Sequence, residues 1–221
     1  MIDLSRQGLI DKYDTYYRAE PGKWKSTKRN AFAFDALRRH FDGDLPLPFE
    51  DIHGFKDGYL LDIGCGNGHT LEYFLLRWPD VTYTGLDLSH EACALARKRL
   101  PGHVHIHQGF LEDFNRSDSF NCVLALGVLE HIEDIPGSLM KMRDLLTHDG
   151  VLYIEVPNCI GYPYSENVEG FRELNGGSRQ TEWHLFRQSW EQHFRDAGFV
   201  IIQSLTGPSI TSEFVWILKK A

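Results

Sequence analysis

Beyond Gly58 the chain alternates short apolar runs with stretches whose apolar residues recur at helical spacing, and that alternation predicts a parallel sheet flanked by helices. The runs place strands at 59–63, 82–86, 104–108, 122–126 and 151–156, with helices near 70–78, 91–100 and 135–146 between them. Ser89 is the expected N-cap of the second helix, and the third ends at Asp149-Gly150. A further helix near 189–197, stopped by Gly198, leads to strands at 200–205 and 214–218. The expectation is seven strands with the last antiparallel.

Two regions break this rhythm. Residues 1–50 show no strand pattern; two helices fit there, the second from Ser26 or Thr27 to about Phe41, before Leu45-Pro46-Leu47-Pro48 leads into a main domain over 51–221. Between 157 and 185 the pattern lapses for too long to be a simple turn, which predicts an irregular, functional insert.

Composition narrows the class. With 221 residues, 42% of them hydrophobic, the chain suits one domain with a decorated core. No apolar stretch approaches the roughly 18 residues of a membrane span, and Met1-Ile2-Asp3-Leu4-Ser5-Arg6 lacks the layout of a signal peptide, so a cytoplasmic location is expected. A net charge of −8 disfavours a nucleic-acid partner. The cysteines Cys65, Cys93, Cys122 and Cys159 form no CxxC pair, and no metal site is expected.

The densest chemical signal is Leu60-Leu61-Asp62-Ile63-Gly64-Cys65-Gly66-Asn67-Gly68, a buried strand running into a glycine-rich turn that opens a helix. Glycines let a ligand lie against bare main chain, and ligands of open α/β sheets collect at this edge. About twenty residues further, Asp87 ends the next strand, where a carboxylate can accept both hydroxyls of a ribose. A pyrophosphate site wants GxGxxG, whereas these glycines fall as GxGxG after the acidic Asp62. That arrangement suits a cationic, phosphate-free ligand over NAD.

These motifs, followed by Gln108-Gly109-Phe110-Leu111-Glu112-Asp113-Phe114, Val128-Leu129-Glu130-His131-Ile132 and Tyr153-Ile154-Glu155-Val156-Pro157-Asn158, resemble the class I S-adenosylmethionine-dependent methyltransferases, in particular the branch that includes ubiquinone-biosynthesis O-methyltransferases. The resemblance implies a Rossmann-like α/β three-layer sandwich with an N-terminal helical cap. It implies S-adenosylmethionine as cofactor, held by Asp62, Gly64, Cys65, Gly66, Gly68, Asp87, Leu88, Gly109, Phe110, Leu111, Leu126 and Gly127, with Arg29 available to meet a carboxylate. Phe110 stands where such proteins often carry an acid for the adenine amino group, leaving Glu112 or Asp113 to make that bond. Asn121 replaces another common aspartate in a structural position.

Methyl displacement from a sulfonium needs alignment above all, and a base helps only where the acceptor has a proton to lose. His131 and His184 are the leading candidates, beside Glu130 and Glu155; with eleven histidines most are bystanders, His103, His105 and His107 among them. Aromatics in the N-terminal segment and the insert predict a lid over an organic substrate, with Tyr17, Trp24, Tyr162, Tyr164, Arg172 and Trp183 as its contacts. The expected reaction is transfer of a methyl group to O or N of a small molecule. The alternatives are an RNA or protein methyltransferase and a non-catalytic cofactor binder. The sequence leaves the acceptor and the oligomeric state open.

Overall fold

The computed structural model describes residues 5–19, 58–117, 119–157, 170–173, 181–206 and 213–221. Its centre is β1 (Tyr59–Ile63), buried on both faces because successive side chains of a strand point to opposite sides. Leu60 joins Cys122 and Leu124 of β4 (Phe120–Leu126) in one core cluster, while Leu61 and Ile63 join Val123 and Ala125 in the other. This two-sided burial explains why these runs read as continuously apolar. It also requires a helical layer on each face.

Those layers come from α2 (His69–Arg77) and α3 (His90–Arg99) on one side, and α4 (Ile135–Leu145) and α5 (Arg187–Asp196) on the other. The remaining strands are β2 (Thr82–Asp87), β3 (His105–Gln108), β5 (Leu146–Pro157), β8 (Phe199–Thr206) and β9 (Glu213–Lys220). Among the described residues the main sheet has seven strands in the order β3-β2-β1-β4-β5-β9-β8. β9 runs antiparallel to both neighbours, and the other described pairings of this sheet are parallel. The expected Rossmann-like α/β architecture is therefore present. Strand order reverses beside β1, between β2 and β4, and there the carboxyl ends of the strands open a crevice.

Ser89 caps α3, its hydroxyl accepting the Ala92 amide at 3.1 Å, and Asp134 caps α4 by accepting the Gly137 amide at 3.0 Å. Asn121 ties two strands together by accepting the Tyr59 amide at 2.9 Å, a structural role as expected. His103, His105 and His107 lie exposed.

Two expectations need correction. β5 begins at Leu146, five residues before the expected Val151, because Leu146 already pairs with Phe120 across an irregularity in register. The stretch 157–185 is not wholly irregular: β6 (Gly170–Glu173) and β7 (Thr181–His184) form an antiparallel hairpin. The second N-terminal helix, and Trp24, Arg29, Cys159, Tyr162 and Tyr164, lie outside the described residues. The first helix, α1 (Arg6–Ala19), is present. No helix among the described residues is long and apolar enough to cross a membrane.

Candidate functional site

β1 ends by turning back on its neighbour. The amides of Gly64 and Cys65 both donate to the Leu86 carbonyl, at 2.7 and 3.1 Å, which ends the strand and lifts the loop toward the crevice. Gly66 sits at φ 53°, a left-handed conformation that side chains resist, and a Cβ there would come 2.6 Å from the Tyr17 hydroxyl. Bare main chain is therefore required at this point for two independent reasons. Behind the turn, Asp62 is almost fully buried and its Oδ2 has no hydrogen-bond partner among the described residues. Burial, reinforced by the charge of Asp87, pushes its carboxyl up to about 8.

Asp87, at the tip of β2, fastens the site together. One carboxylate oxygen accepts the Gly66 amide and the other the Ser89 amide, both at 2.9 Å, while its carbonyl accepts the Gly109 amide at the same distance. Each carboxylate oxygen keeps a further lone pair for a ligand hydroxyl. Burial raises this carboxyl to about 6, even though its two amide partners favour the charged form.

These elements floor a cavity of about 720 Å³, a size typical of small-molecule sites. Its walls come from the glycine loop, from Leu88 and Gly109 to Leu111, from Leu126 to Val128, and from one face of α1 carrying Arg6, Leu9, Tyr13 and Tyr17. Arg6 lies 4.1 Å over the Phe110 ring and pairs with Asp113, so Asp113 is committed to the helix while Glu112 lines the cavity.

At the other end, Gly127 is followed by Glu130 and His131, and the Glu155 carboxylate approaches it from β5. Glu130 and Glu155 are buried, and Glu130 lies 3.8 Å from the His131 imidazole. The Tyr13 ring meets His131 edge-on at 6.5 Å between centroids. Acid, imidazole and phenol thus converge beyond the end of β4. Tyr13, His131 and Glu155 all border the cavity there.

Of the expected binding residues, Gly64, Cys65, Gly66, Asp87, Leu88, Gly109, Phe110, Leu111, Leu126 and Gly127 all border the cavity. Asp62 and Gly68 do not border it: Asp62 lies buried behind the turn, and Gly68 heads α2 where a Cβ would strike Leu100, so it serves packing between α2 and α3. Tyr17, expected as a contact of the lid with substrate, lines the cavity where it reaches the glycine loop. Trp183 also departs from expectation; it packs against the core, and its indole N–H donates to the Ile132 carbonyl at 2.9 Å, pinning the hairpin beneath the loop after β4. For His184 and Arg172 the structure describes the backbone, in β7 and β6. Sequence reasoning missed Arg6, Leu9 and Asp14. The signal was present in the three- and four-residue steps Arg6, Leu9, Tyr13, Tyr16/Tyr17, one face of a helix.

Comparison with known proteins agrees with this geometry. Residues 61–152 match the family described as a methyltransferase domain. Trans-aconitate 2-methyltransferase of Acidovorax sp. (strain JS42) is 31% identical over 125 residues, 57% of this chain and 46% of that protein. The enzyme of the same name from Yersinia pseudotuberculosis serotype O:1b (strain IP 31758) is 27% identical over 149 residues, 66% of this chain and 57% of that protein. The chain thus spans about half the length of these relatives. Among solved structures, the 1,6-didemethyltoxoflavin-N1-methyltransferase of Burkholderia thailandensis, with 1,6-didemethyltoxoflavin and S-adenosylhomocysteine bound, superposes with a TM-score of 0.71 at 19% identity, covering 96% of this chain and 87% of that one. An S-adenosylmethionine-bound amino pentose methyltransferase from Micromonospora echinaspora gives 0.63 at 21% identity, covering 94% and 97%.

Proposed function

We propose that the chain, whose residues 61–152 match a methyltransferase domain, is a class I S-adenosylmethionine-dependent methyltransferase that methylates an oxygen or nitrogen of a small organic molecule. The observation that carries the reading is the pairing of Asp87 with the Gly66 loop in front of the buried, unpartnered Asp62 Oδ2. A nucleoside bearing a cationic amino acid fits that donor set: Asp87 offers acceptors for the ribose diol, and Asp62 an anion for an ammonium. A pyrophosphate fits poorly, because Asp62, its carboxyl raised to about 8, offers it no positive charge and Asp87 offers acceptors where a phosphate needs donors.

S-adenosylmethionine, when bound, supplies a methyl group on a sulfonium leaving group. The chain's own contribution is alignment and exclusion of water. Gly64 to Gly66 and Asp87 fix the nucleoside, the face of α1 covers it, and Phe110 and Leu111 border the base. Beyond Gly127, His131 is the residue we assign to take a proton from the acceptor, with Glu130 beside it to stabilise the charged imidazolium. Glu155 lines the same end and orients an acceptor that can donate a hydrogen bond.

The test is a coupled assay for S-adenosylhomocysteine formation against small phenols, amines and carboxylic acids, each beside a control without acceptor. Acceptor-dependent release with at least one class supports the reading. Tight cofactor binding with no release from any member would favour a non-catalytic binder.

A further inference from the structure

The residue that seats α1 is not the one a surface view would pick. Arg6 pairs with Asp113 and Arg18 with Glu91, but these side chains are partly to largely exposed and contribute little to holding a helix in place. Asp14 is different: it is only 5% exposed, and a single carboxylate oxygen accepts the Ser89 hydroxyl at 2.6 Å and the Glu91 amide at 3.1 Å. Burial alone would push the Asp14 carboxyl up, yet the hydrogen bonds from Ser89 and Glu91, with His90 and Arg18 nearby, outweigh it and hold the group below the ordinary carboxylate range.

Ser89 is shared between two tasks. Its hydroxyl carries one proton, which goes to Asp14 and leaves a lone pair turned toward the Ala92 amide at the start of α3. Its own amide donates to the Asp87 carboxylate at 2.9 Å. A continuous path therefore runs from α1 through Asp14 and Ser89 to Asp87. Three residues beyond Asp14 on the same helix, Tyr17 lies buried with its hydroxyl against Gly66, whose amide bonds the other Asp87 oxygen. The helix touches Asp87 by two routes.

We propose that Asp14 is a positioning residue for the nucleoside end of the site: through Ser89 it makes the seating of α1 and the alignment of Asp87 one event, so that ligand binding and closure of the helix are coupled. The inference rests on the reading of this pocket as an S-adenosylmethionine site. It gives the N-terminal helix a thermodynamic role in cofactor affinity beyond covering the pocket.

The experiment uses the full chain and S-adenosylhomocysteine as probe. Affinity is measured by calorimetry for wild type, Asp14→Ala, Asp14→Asn, Asp87→Asn and the Asp14→Ala/Asp87→Asn double variant. Tryptic cleavage after Lys12 and Arg18, both within α1, reports its seating. The expected result is that the probe slows this cleavage in the wild type about tenfold or more. Asp14→Ala should weaken binding by about tenfold, and Asp14→Asn, which keeps an acceptor oxygen, should recover part of that loss. In the double variant the two losses should fall short of additivity, because Asp14 acts through Asp87. Wild-type affinity in Asp14→Ala, or fully additive losses, would overturn the inference while leaving the cofactor reading intact. Should Asp14→Ala fail to fold, the same comparison runs on Asp14→Asn, and wild-type affinity there would overturn it too. A wild-type chain that does not bind the probe removes the cofactor reading, and the inference with it.

Discussion

The Asp87 carboxylate accepts the Gly66 amide at 2.9 Å, so the tip of β2 holds the apex of the loop that follows β1. One side chain thereby shapes the loop and, in the proposed function, receives the ribose. Replacing it removes two ligand hydrogen bonds and leaves the Gly66 and Ser89 amides without their acceptor. Asp87→Ala is expected to weaken S-adenosylhomocysteine binding on the order of 100-fold or more, read by calorimetry. Unchanged affinity would remove Asp87 from the site.

Gly66 opposes substitution through two separable effects. Alanine must adopt φ 53°, at about 1–2 kcal/mol, and its Cβ must displace the Tyr17 hydroxyl. Gly66→Ala should therefore lower the melting temperature and weaken the cofactor. Adding Tyr17→Phe removes the 2.6 Å contact and leaves ring carbon at 3.5 Å, an ordinary distance, so part of the loss should return. Full recovery would mean the backbone carries no strain; no recovery would place Tyr17 elsewhere.

Asp62 gives the ligand-free protein a pH dependence. Its carboxyl is raised from 3.8 to about 8, so between those values the folded state holds a proton that the unfolded chain has released. That stabilisation is complete below about pH 4 and is lost as pH rises through about 8, at up to about 1.4 kcal/mol per pH unit. Thermal melts from pH 5 to 8 should show falling stability, and Asp62→Asn should flatten the slope. An ammonium placed beside Asp62 favours its charged form, so binding of S-adenosylhomocysteine near pH 7 should release a proton. Calorimetry in buffers of different ionisation enthalpy reads this directly, and buffer-independent heats would argue against an ammonium at Asp62.

His131 separates binding from chemistry. It borders the cavity beyond the end of β4, with the Tyr13 ring and Glu130 near it. With a protic acceptor, His131→Gln should lower kcat by about 100-fold while the cofactor dissociation constant holds, and the acidic limb of the pH–rate profile should disappear. A proportionate loss of cofactor affinity would instead make His131 a brace for the loop after β4.

Much of this site could be read from the sequence because its requirements are chemical and local. Buried strands must be apolar on both faces, which exposed β1 and β4 as continuous runs, and a turn against a ligand must lack side chains, which exposed Gly64 and Gly66. Asp87 followed from its place at a strand end. What escaped was tertiary. The pocket face of α1 is a mixture of Arg6, Leu9, Tyr13 and Tyr17, with little hydrophobic contrast, and Asp14 looks like any surface carboxylate until Ser89 is brought against it. The four-residue strands β6 and β7 were too short for a period-two pattern to emerge. Trp183 read as a substrate aromatic because burial against the core is invisible in the sequence alone.

Binding of S-adenosylmethionine by the loop and the two aspartates is our proposal. It is tested most directly by parallel calorimetric titrations of the purified protein with S-adenosylhomocysteine and with NADH. Saturable 1:1 binding of S-adenosylhomocysteine and no heat of binding from NADH are expected. Saturable NADH binding with silence from S-adenosylhomocysteine would contradict it.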